Sequence, residues 1–280
     1  MNIGFIGAGK VGTSMGKYLT ERGVKVSGYY SRTFQSAAEA AEFTGTRAYE
    51  TIESLVEDNE AVFLTVPDGA IASVWEQIRV LPIQNKIISH FSGSLSSAVF
   101  SDISRSGAHG YSIHPLFAIN DRFRSCRELS RAVFTIEGDE ARLQQLKDLF
   151  SGLGNRVVVI SQENKTLYHA AAAMASNLYV GLVGECEQLL RNCGFSAEDA
   201  HEALSSLIEG NTENIVKYGP EAALTGPIER NDASTVRAHL EALEENDREV
   251  YRVLSREVLR VAEKKHSDRN YDEIKGALQS

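Results

Sequence analysis

The feature that most constrains the fold is a glycine-rich turn close to the start of the chain. Gly7–Gly12 reads G-x-G-x-x-G, follows the apolar run Asn2–Ile6 and opens the helical pattern Lys10–Arg22. In such a unit the first glycine makes a tight turn, the second admits a pyrophosphate, and the third lets helix and strand pack closely. The helix N-terminus then faces the phosphates with free N–H groups. The segment predicts a dinucleotide-binding βαβ unit. Its predicted cofactor contacts are Gly7, Gly9, Lys10, Val11 and Gly12.

The pattern of strands and helices changes character near residue 160. Before it, short β-like runs alternate with helical stretches, as in βαβ units with a parallel sheet. Ala61–Val66 is apolar throughout, which is typical of a central strand buried on both faces. After it no strand pattern follows, and Gln162–Cys193 has the pattern of one long helix. We therefore predict an α/β domain with a doubly wound, mostly parallel sheet over residues 1–160, and an all-α domain over residues 161–280.

Composition and charge exclude several classes of protein. The 280 residues carry a net charge of −9, which argues against nucleic-acid binding. No apolar stretch reaches the roughly 18 residues of a membrane span, and the N-terminus lacks the layout of a signal peptide. The three cysteines show no metal-ligand spacing, so we expect no metal. The chain is expected to be cytoplasmic, with reduced thiols and a small-molecule substrate.

The end of the second predicted strand indicates which dinucleotide is bound. An NAD enzyme usually places an acidic residue there to bind the ribose 2′-hydroxyl. This chain has Ser31, Arg32 and Thr33 instead. Arg32 can pair with a 2′-phosphate, and the two hydroxyls can donate to it. The sequence therefore predicts NADP(H), although Arg32 could also be an ordinary solvated charge.

Two further loops follow strands of the predicted sheet and should border the ligand. In a doubly wound sheet the carboxyl ends of the strands face the bound molecule. The loop Thr65–Asp68 should border the ribose and nicotinamide, whereas Ser92 and Ser94, with Gly93 between them, should contact substrate or nicotinamide. Ordinary turn chemistry is the alternative for both loops. The cofactor contacts predicted in the first loop are Thr65, Val66, Pro67 and Asp68.

Polar side chains recur on one face of the predicted long helix. Steps of four, three and four residues lead from Lys165 to His169 and on to Ser176, with Asn177 alongside. The rest of this stretch is rich in alanine, so its polar face should line a cleft. The alternative is that the first turn, with Lys165, is simply exposed.

Two isolated residues complete the predicted substrate site. His114 ends a strand and either lines the site or is a hydrogen-bonded structural histidine. Arg230 lies between helices in the loop Thr225–Asp232, where it could hold a substrate carboxylate or form a surface ion pair.

The order of these motifs resembles the 6-phosphogluconate dehydrogenase-like superfamily, which includes β-hydroxyacid dehydrogenases, ketopantoate reductases and pyrroline-5-carboxylate reductases. Four segments are more particular and resemble a bacterial family of Rossmann-like oxidoreductases with its own helical C-terminal domain, which includes alternative ketopantoate reductases. These segments are His90–Ser96, Ser112–Leu116, Tyr168–Ala172 and Leu224–Pro227.

The resemblance implies roles for the residues on the long helix. Lys165 matches the superfamily's catalytic lysine, whereas His169 stands where relatives have asparagine, so its role stays open. The implied catalytic set is Lys165, His169 and Asn177. The helical domain is expected to bind substrate and to form a homodimer.

The implied activity is hydride transfer between NADPH and a small 2-oxo acid or similar carbonyl, with ketopantoate as the leading substrate. An imine reductase of the pyrroline-5-carboxylate reductase type and a non-catalytic NADP-binding sensor are the alternatives.

Overall fold

The computed structural model describes residues 1–279 and divides into two compact units, residues 1–175 and the described residues from 176 onward. The first unit is built on one sheet of eight strands. The strands are β1 Ile3–Ile6, β2 Val26–Tyr30, β3 Arg47–Ala48, β4 Ala61–Leu64, β5 Ile87–His90, β6 His109–Leu116, β7 Val133–Gly138 and β8 Arg156–Val159. The predicted fold, a mostly parallel α/β sheet followed by helices, is confirmed.

The strand order is β3-β2-β1-β4-β5-β6-β7-β8. β1 lies between β2 and β4, so the chain direction around the sheet reverses there, and such a switch point is where open α/β sheets bind ligands. All neighbours are parallel except β6 and β7, which pair antiparallel. This pairing places Thr135 opposite His114, and Glu137 opposite Ser112.

Helices cover the sheet and enclose one buried cluster on each face. Phe5 and Phe63 belong to one cluster, and Leu64 and Trp75 to the other. Alternate side chains of a strand point to opposite faces, which explains why Phe63 and Leu64 separate. The helices of this unit are α1 Lys10–Thr20, α2 Phe34–Thr44, α3 Ile52–Asp58, α4 Asp68–Ile78, α5 Ile103–Ser106, α6 Leu143–Gly152 and α7 Lys165–Ala175.

The second unit is helical and has its own core. Val236, Tyr271, Ile274 and Leu278 pack together with neighbouring side chains of three helices. No helix in residues 1–279 is long and apolar enough to cross a membrane. The helices of this unit are α8 Asn177–Asn192, α9 Ala197–Tyr218, α10 Pro220–Ala223, α11 Ala233–Ala242, α12 Glu245–Lys265 and α13 Asp272–Gln279.

The predicted single helix over Gln162–Cys193 is wrong, because it is broken at Ser176. The backbone of Ser176 has φ −126° and ψ −82°, outside the helical region. Its hydroxyl donates to Oδ1 of Asn177 at 3.1 Å, and such local side-chain bonds compete with the helical ladder. The compact sheet unit extends through α7, fifteen residues beyond the predicted boundary at residue 160.

Candidate active site

A cleft of about 580 Å³ opens beside the carboxyl ends of β1, β2 and β4. It lies at the switch point of the sheet, where the sequence predicts the dinucleotide. Lys10 and Val11 begin α1 beside it. Ten of the residues that line the cleft are Gly7, Ala8, Gly9, Ser31, Arg32, Thr33, Ser36, Thr65, Val66 and Pro67.

The three glycines of the turn fit the roles that the sequence assigns to them. Gly7 has φ +111°, and a Cβ there would lie 2.6 Å from the carbonyl oxygen of Thr65. A Cβ on Gly12 would collide with the carbonyl oxygen of Gly7. No atom lies within 4 Å of a Cβ placed on Gly9, so the backbone there faces open space that a pyrophosphate can enter.

The rim beside β2 suits a 2′-phosphate. Arg32 is exposed and forms no ion pair with any residue of 1–279. The hydroxyls of Thr33 and Ser36 are 2.7 Å apart, and the N-terminus of α2 has no side-chain cap, so the N–H groups of Phe34 and Gln35 are available. No carboxylate of the described residues lines the cleft.

Asp68 organises the loop after β5, whereas the sequence predicts that it borders the cofactor. Its Oδ2 accepts hydrogen bonds from the hydroxyls of Ser92 at 2.7 Å and Ser94 at 2.9 Å. The Ser92 oxygen in turn accepts from the backbone N–H groups of Ser94 and Leu95. The single hydroxyl proton of Ser92 is therefore used within the loop, and Asp68 does not line the cleft.

His90 supports the same loop through contacts with its backbone. It is fully buried, its Nδ1 accepts from the backbone N–H of Ser92 at 3.2 Å, and its Nε2 lies 3.1 Å from the carbonyl oxygen of Ser96. Burial lowers the pKa of His90 to about 4. At neutral pH it is therefore an uncharged support for the loop.

Lys165 is the most unusual side chain of the unit. It is 1% exposed, and its Nζ has no hydrogen-bond partner among the described residues. Burial lowers its pKa from 10.5 to about 8, against the opposing effect of the Glu137 and Asp68 carboxylates. Nζ lies 5.5 Å from the centre of the Tyr168 ring, within the range of a cation–π contact. A buried ammonium without hydrogen bonds is costly, which points to a role in binding or catalysis.

Two imidazoles flank Gly93 beside Lys165. A Cβ on Gly93 would lie 2.6 Å from Cδ2 of His169 and 3.0 Å from Nε2 of His114. Nδ1 of His114 lies 2.7 Å from the hydroxyl oxygen of Tyr168. Burial and, to a lesser degree, the charge of Lys165 lower the pKa of His114 to about 4. The predicted residues Gly93, Ser94, His114, Lys165 and His169 are thus brought together in the first unit.

Two predicted residues lie in the second unit instead. Asn177 begins α8 and is exposed. The sequence predicts it on the same helix face as Lys165, but the helix of Lys165 ends at Ala175. Arg230 is exposed in the turn before α11. No group of three or more metal-ligating side chains occurs in residues 1–279.

Three residues of this cluster are absent from the sequence predictions. Glu137 is buried and accepts hydrogen bonds from the backbone N–H and the hydroxyl of Ser97. Tyr168 and Thr135 accompany His114. A carboxylate inside an otherwise apolar strand could have drawn attention to Glu137, but nothing in the sequence pairs Tyr168 with His114.

Comparisons with known proteins agree with this geometry. Residues 2–93 match the family described as NADP oxidoreductase, coenzyme F420-dependent. Residues 132–258 match a family described as a domain of unknown function. No curated protein matches the chain.

Solved structures share the fold over nearly the whole length. A protein from Thermotoga maritima is 29% identical, with 94% of this chain and 99% of that chain covered and a TM-score of 0.76. A Bacteroides fragilis protein described as an NADP oxidoreductase is 23% identical, with 92% and 98% covered and a TM-score of 0.70. A pyrroline-5-carboxylate reductase from Coxiella burnetii is 14% identical, with 94% and 98% covered and a TM-score of 0.61.

The fold, the cleft and the family match over residues 2–93 define an oxidoreductase of the NADP-dependent class. The prediction of NADP(H) as cofactor is confirmed.

Proposed function

We propose that the chain is a cytoplasmic reductase that transfers a hydride from NADPH to the carbonyl carbon of a small 2-oxo acid, with ketopantoate as the first compound to test. The observation that carries this proposal is the ammonium of Lys165, buried and without a hydrogen-bond partner among the described residues. Negative charge develops on the substrate oxygen during the transfer, and a cation near that oxygen stabilises the transition state.

The surroundings of Lys165 suit the transfer of its proton. A pKa of about 8 keeps the amine mostly protonated at neutral pH while easing the loss of the proton. The neighbouring His90 and His114 are uncharged at that pH, so they do not compete as acids. His169 adjoins Gly93, from which it can contact substrate. We retain Asn177 and Arg230 as candidates for substrate binding.

Imine reduction is the second candidate function. Asp68 gathers the hydroxyls of Ser92 and Ser94, so this edge of the loop offers oxygen acceptors rather than donors. Such an edge suits the N–H of a protonated imine. A protonated imine would, however, be repelled by a charged Lys165, which favours the carbonyl.

A substrate panel separates the candidates. NADPH oxidation is measured with 2-oxo acids, including ketopantoate, and with cyclic imines. Turnover of a 2-oxo acid well above that of any imine supports the proposal, whereas the reverse order supports imine reduction. Tight NADPH binding with no turnover of any compound would indicate a sensor.

The preference for NADPH should depend on Arg32. We expect calorimetry to show NADPH binding at least about tenfold tighter than NADH, which corresponds to about 1.4 kcal/mol. Arg32→Ala should reduce this difference and leave NADH affinity nearly unchanged, because NADH lacks the 2′-phosphate. Arg47→Ala is the control, since Arg47 is already paired with Asp58. Equal affinities for the two cofactors in the wild type would contradict the assignment.

We propose a homodimer formed through the second unit. Large apolar side chains on α8 and α9 are more than 60% exposed, and a soluble monomer rarely leaves so many uncovered. In a two-fold dimer the same surface of both chains forms the interface, so these side chains would be covered on each chain. We expect light scattering to give twice the chain mass of 30.7 kDa at micromolar concentration, and Val216→Glu to shift it toward the monomer. A monomer mass for the wild type would refute the proposal. The four side chains are Leu178, Val180, Leu207 and Val216.

A further inference from the structure

A hydrogen bond within the active-site cluster joins Tyr168 to the ring of His114. The phenol oxygen of Tyr168 lies 2.7 Å from Nδ1 of His114, and the hydroxyl of Thr135 donates to the carbonyl oxygen of His114 at 3.4 Å. The antiparallel pairing of β6 and β7 places Thr135 directly opposite His114, and α7 supplies Tyr168. The rings of Tyr168 and His114 meet edge to face, with centroids 5.7 Å apart.

The direction of the hydrogen bond between Tyr168 and His114 follows from the protonation of the two groups. Burial raises the pKa of Tyr168, and the nearby hydroxyl of Thr135 opposes this rise only in part. Tyr168 therefore keeps its proton, and Nδ1 of His114 is the one hydrogen-bond partner of its hydroxyl among the described residues, so the phenol donates to Nδ1.

His114 is uncharged at neutral pH and so carries one ring proton. Because Nδ1 accepts the proton of Tyr168, the ring proton of His114 lies on Nε2. Nε2 faces Gly93, which has no side chain to cover it, and it makes no hydrogen bond with the described residues. The tautomer thus presents one unpaired N–H donor beside Gly93 and the imidazole of His169.

We propose that Tyr168 is a positioning residue that fixes the Nε2–H form of His114, and that this N–H donates to the substrate oxygen that receives the proton of Lys165. The inference rests on the proposed reduction of a carbonyl. As the carbonyl carbon accepts a hydride from NADPH, the electron pair of the C=O bond moves to oxygen. An N–H bond of Lys165 breaks and the O–H bond forms, whereas His114 keeps its proton throughout. The two donors therefore have separate roles, because His114 orients the oxygen and Lys165 protonates it.

The tautomer can be measured without turnover. Long-range ¹⁵N–¹H correlation spectra of the full chain, labelled with ¹⁵N-histidine and saturated with NADPH, distinguish the two forms of a neutral imidazole. His114 is assigned among the seven histidines by the signal lost in His114→Gln. We expect Nε2–H in the wild type, and a mixture or Nδ1–H in Tyr168→Phe, which keeps the ring beside Lys165. Nδ1–H in the wild type would overturn the inference.

Turnover of the best 2-oxo acid of the panel gives the second readout. Tyr168→Phe should lower kcat at least about tenfold, short of the about 10²–10³ expected when a donor is removed altogether. His114→Gln can place an amide N–H where Nε2 was and should retain more activity than His114→Asn, whose amide falls at the position of Nδ1. In His114→Gln there is no tautomer to fix, so adding Tyr168→Phe should have little further effect.

The outcomes distinguish a failure of the role proposed for Tyr168 from a failure of the proposed function. An unchanged kcat in Tyr168→Phe, or equal effects of that substitution with histidine and with glutamine at position 114, would overturn the role of Tyr168. The Nε2–H form in a chain that reduces no 2-oxo acid would defeat the proposed function and still support the tautomer assignment.

Discussion

Lys165→Met should lower kcat at least about a hundredfold, because it removes the donor that stabilises and protonates the substrate oxygen. Methionine has nearly the length of lysine and no charge, so it occupies the same buried space. NADPH affinity should hardly change, since Lys165 does not line the cofactor cleft. Stopped-flow measurement of NADPH oxidation, with calorimetry for affinity, tests both statements. A near-normal kcat would remove Lys165 from the mechanism.

The same substitution should stabilise the fold. A pKa of about 8 in place of 10.5 corresponds to about 3 kcal/mol of unfavourable free energy for the charged side chain in the folded protein. Glu137 loses a favourable neighbour in the variant, so we expect a net gain of about 1–3 kcal/mol in the free energy of unfolding. Urea denaturation at pH 7 measures this gain. A variant that is both inactive and less stable would show that Lys165 has a structural role.

The alkaline pH dependence of kcat should follow the protonation of Lys165. Because its pKa is about 8, the protonated fraction is nearly complete at pH 7 and falls about tenfold per pH unit above 8. We expect kcat at pH 10 to be about a hundredfold lower than its plateau below pH 8. Stability should change in the opposite direction, since the cost of the buried charge is full below pH 8 and declines as the pH rises toward 10.5.

Lys165→Arg is the matched control for the pH dependence. Arginine keeps the charge throughout this range, so whatever rate the variant retains should not fall between pH 8 and 10. An alkaline decrease of the same size in Lys165→Arg would assign the titration to another group.

Much of the fold could be predicted because its signals are local. The apolar run Ala61–Val66 and the glycine turn at Gly7–Gly12 identify strand and switch point without knowledge of any distant contact. The antiparallel direction of β7 is harder to predict, because the residues of a strand do not by themselves determine whether it pairs parallel or antiparallel. The segment between β6 and β7 lacks the long helix that a parallel crossover usually needs, and this indicates antiparallel pairing.

The candidate site could be predicted only in part, for a related reason. Lys165 and Ser92–Ser94 are visible from their places after strands or at a helix start. Their partners are not, because Asp68 bonds Ser92, and the charge of Glu137 acts on Lys165, through the packing of elements far apart in sequence. The break at Ser176 was missed because one serine in an alanine-rich helix is a weak signal against continuity.

Gly93 shows a restriction that arises from side chains rather than from its backbone. At several other positions of the chain a positive φ favours glycine. At Gly93 the reason is space, because the position of a Cβ is occupied by the imidazole of His169 and crowded by that of His114. Positions 93 and 169 should therefore change together during evolution. A homologue with alanine at position 93 is expected to carry a smaller residue at position 169, and such a pair of changes would alter the surroundings of His114 in a single coordinated step.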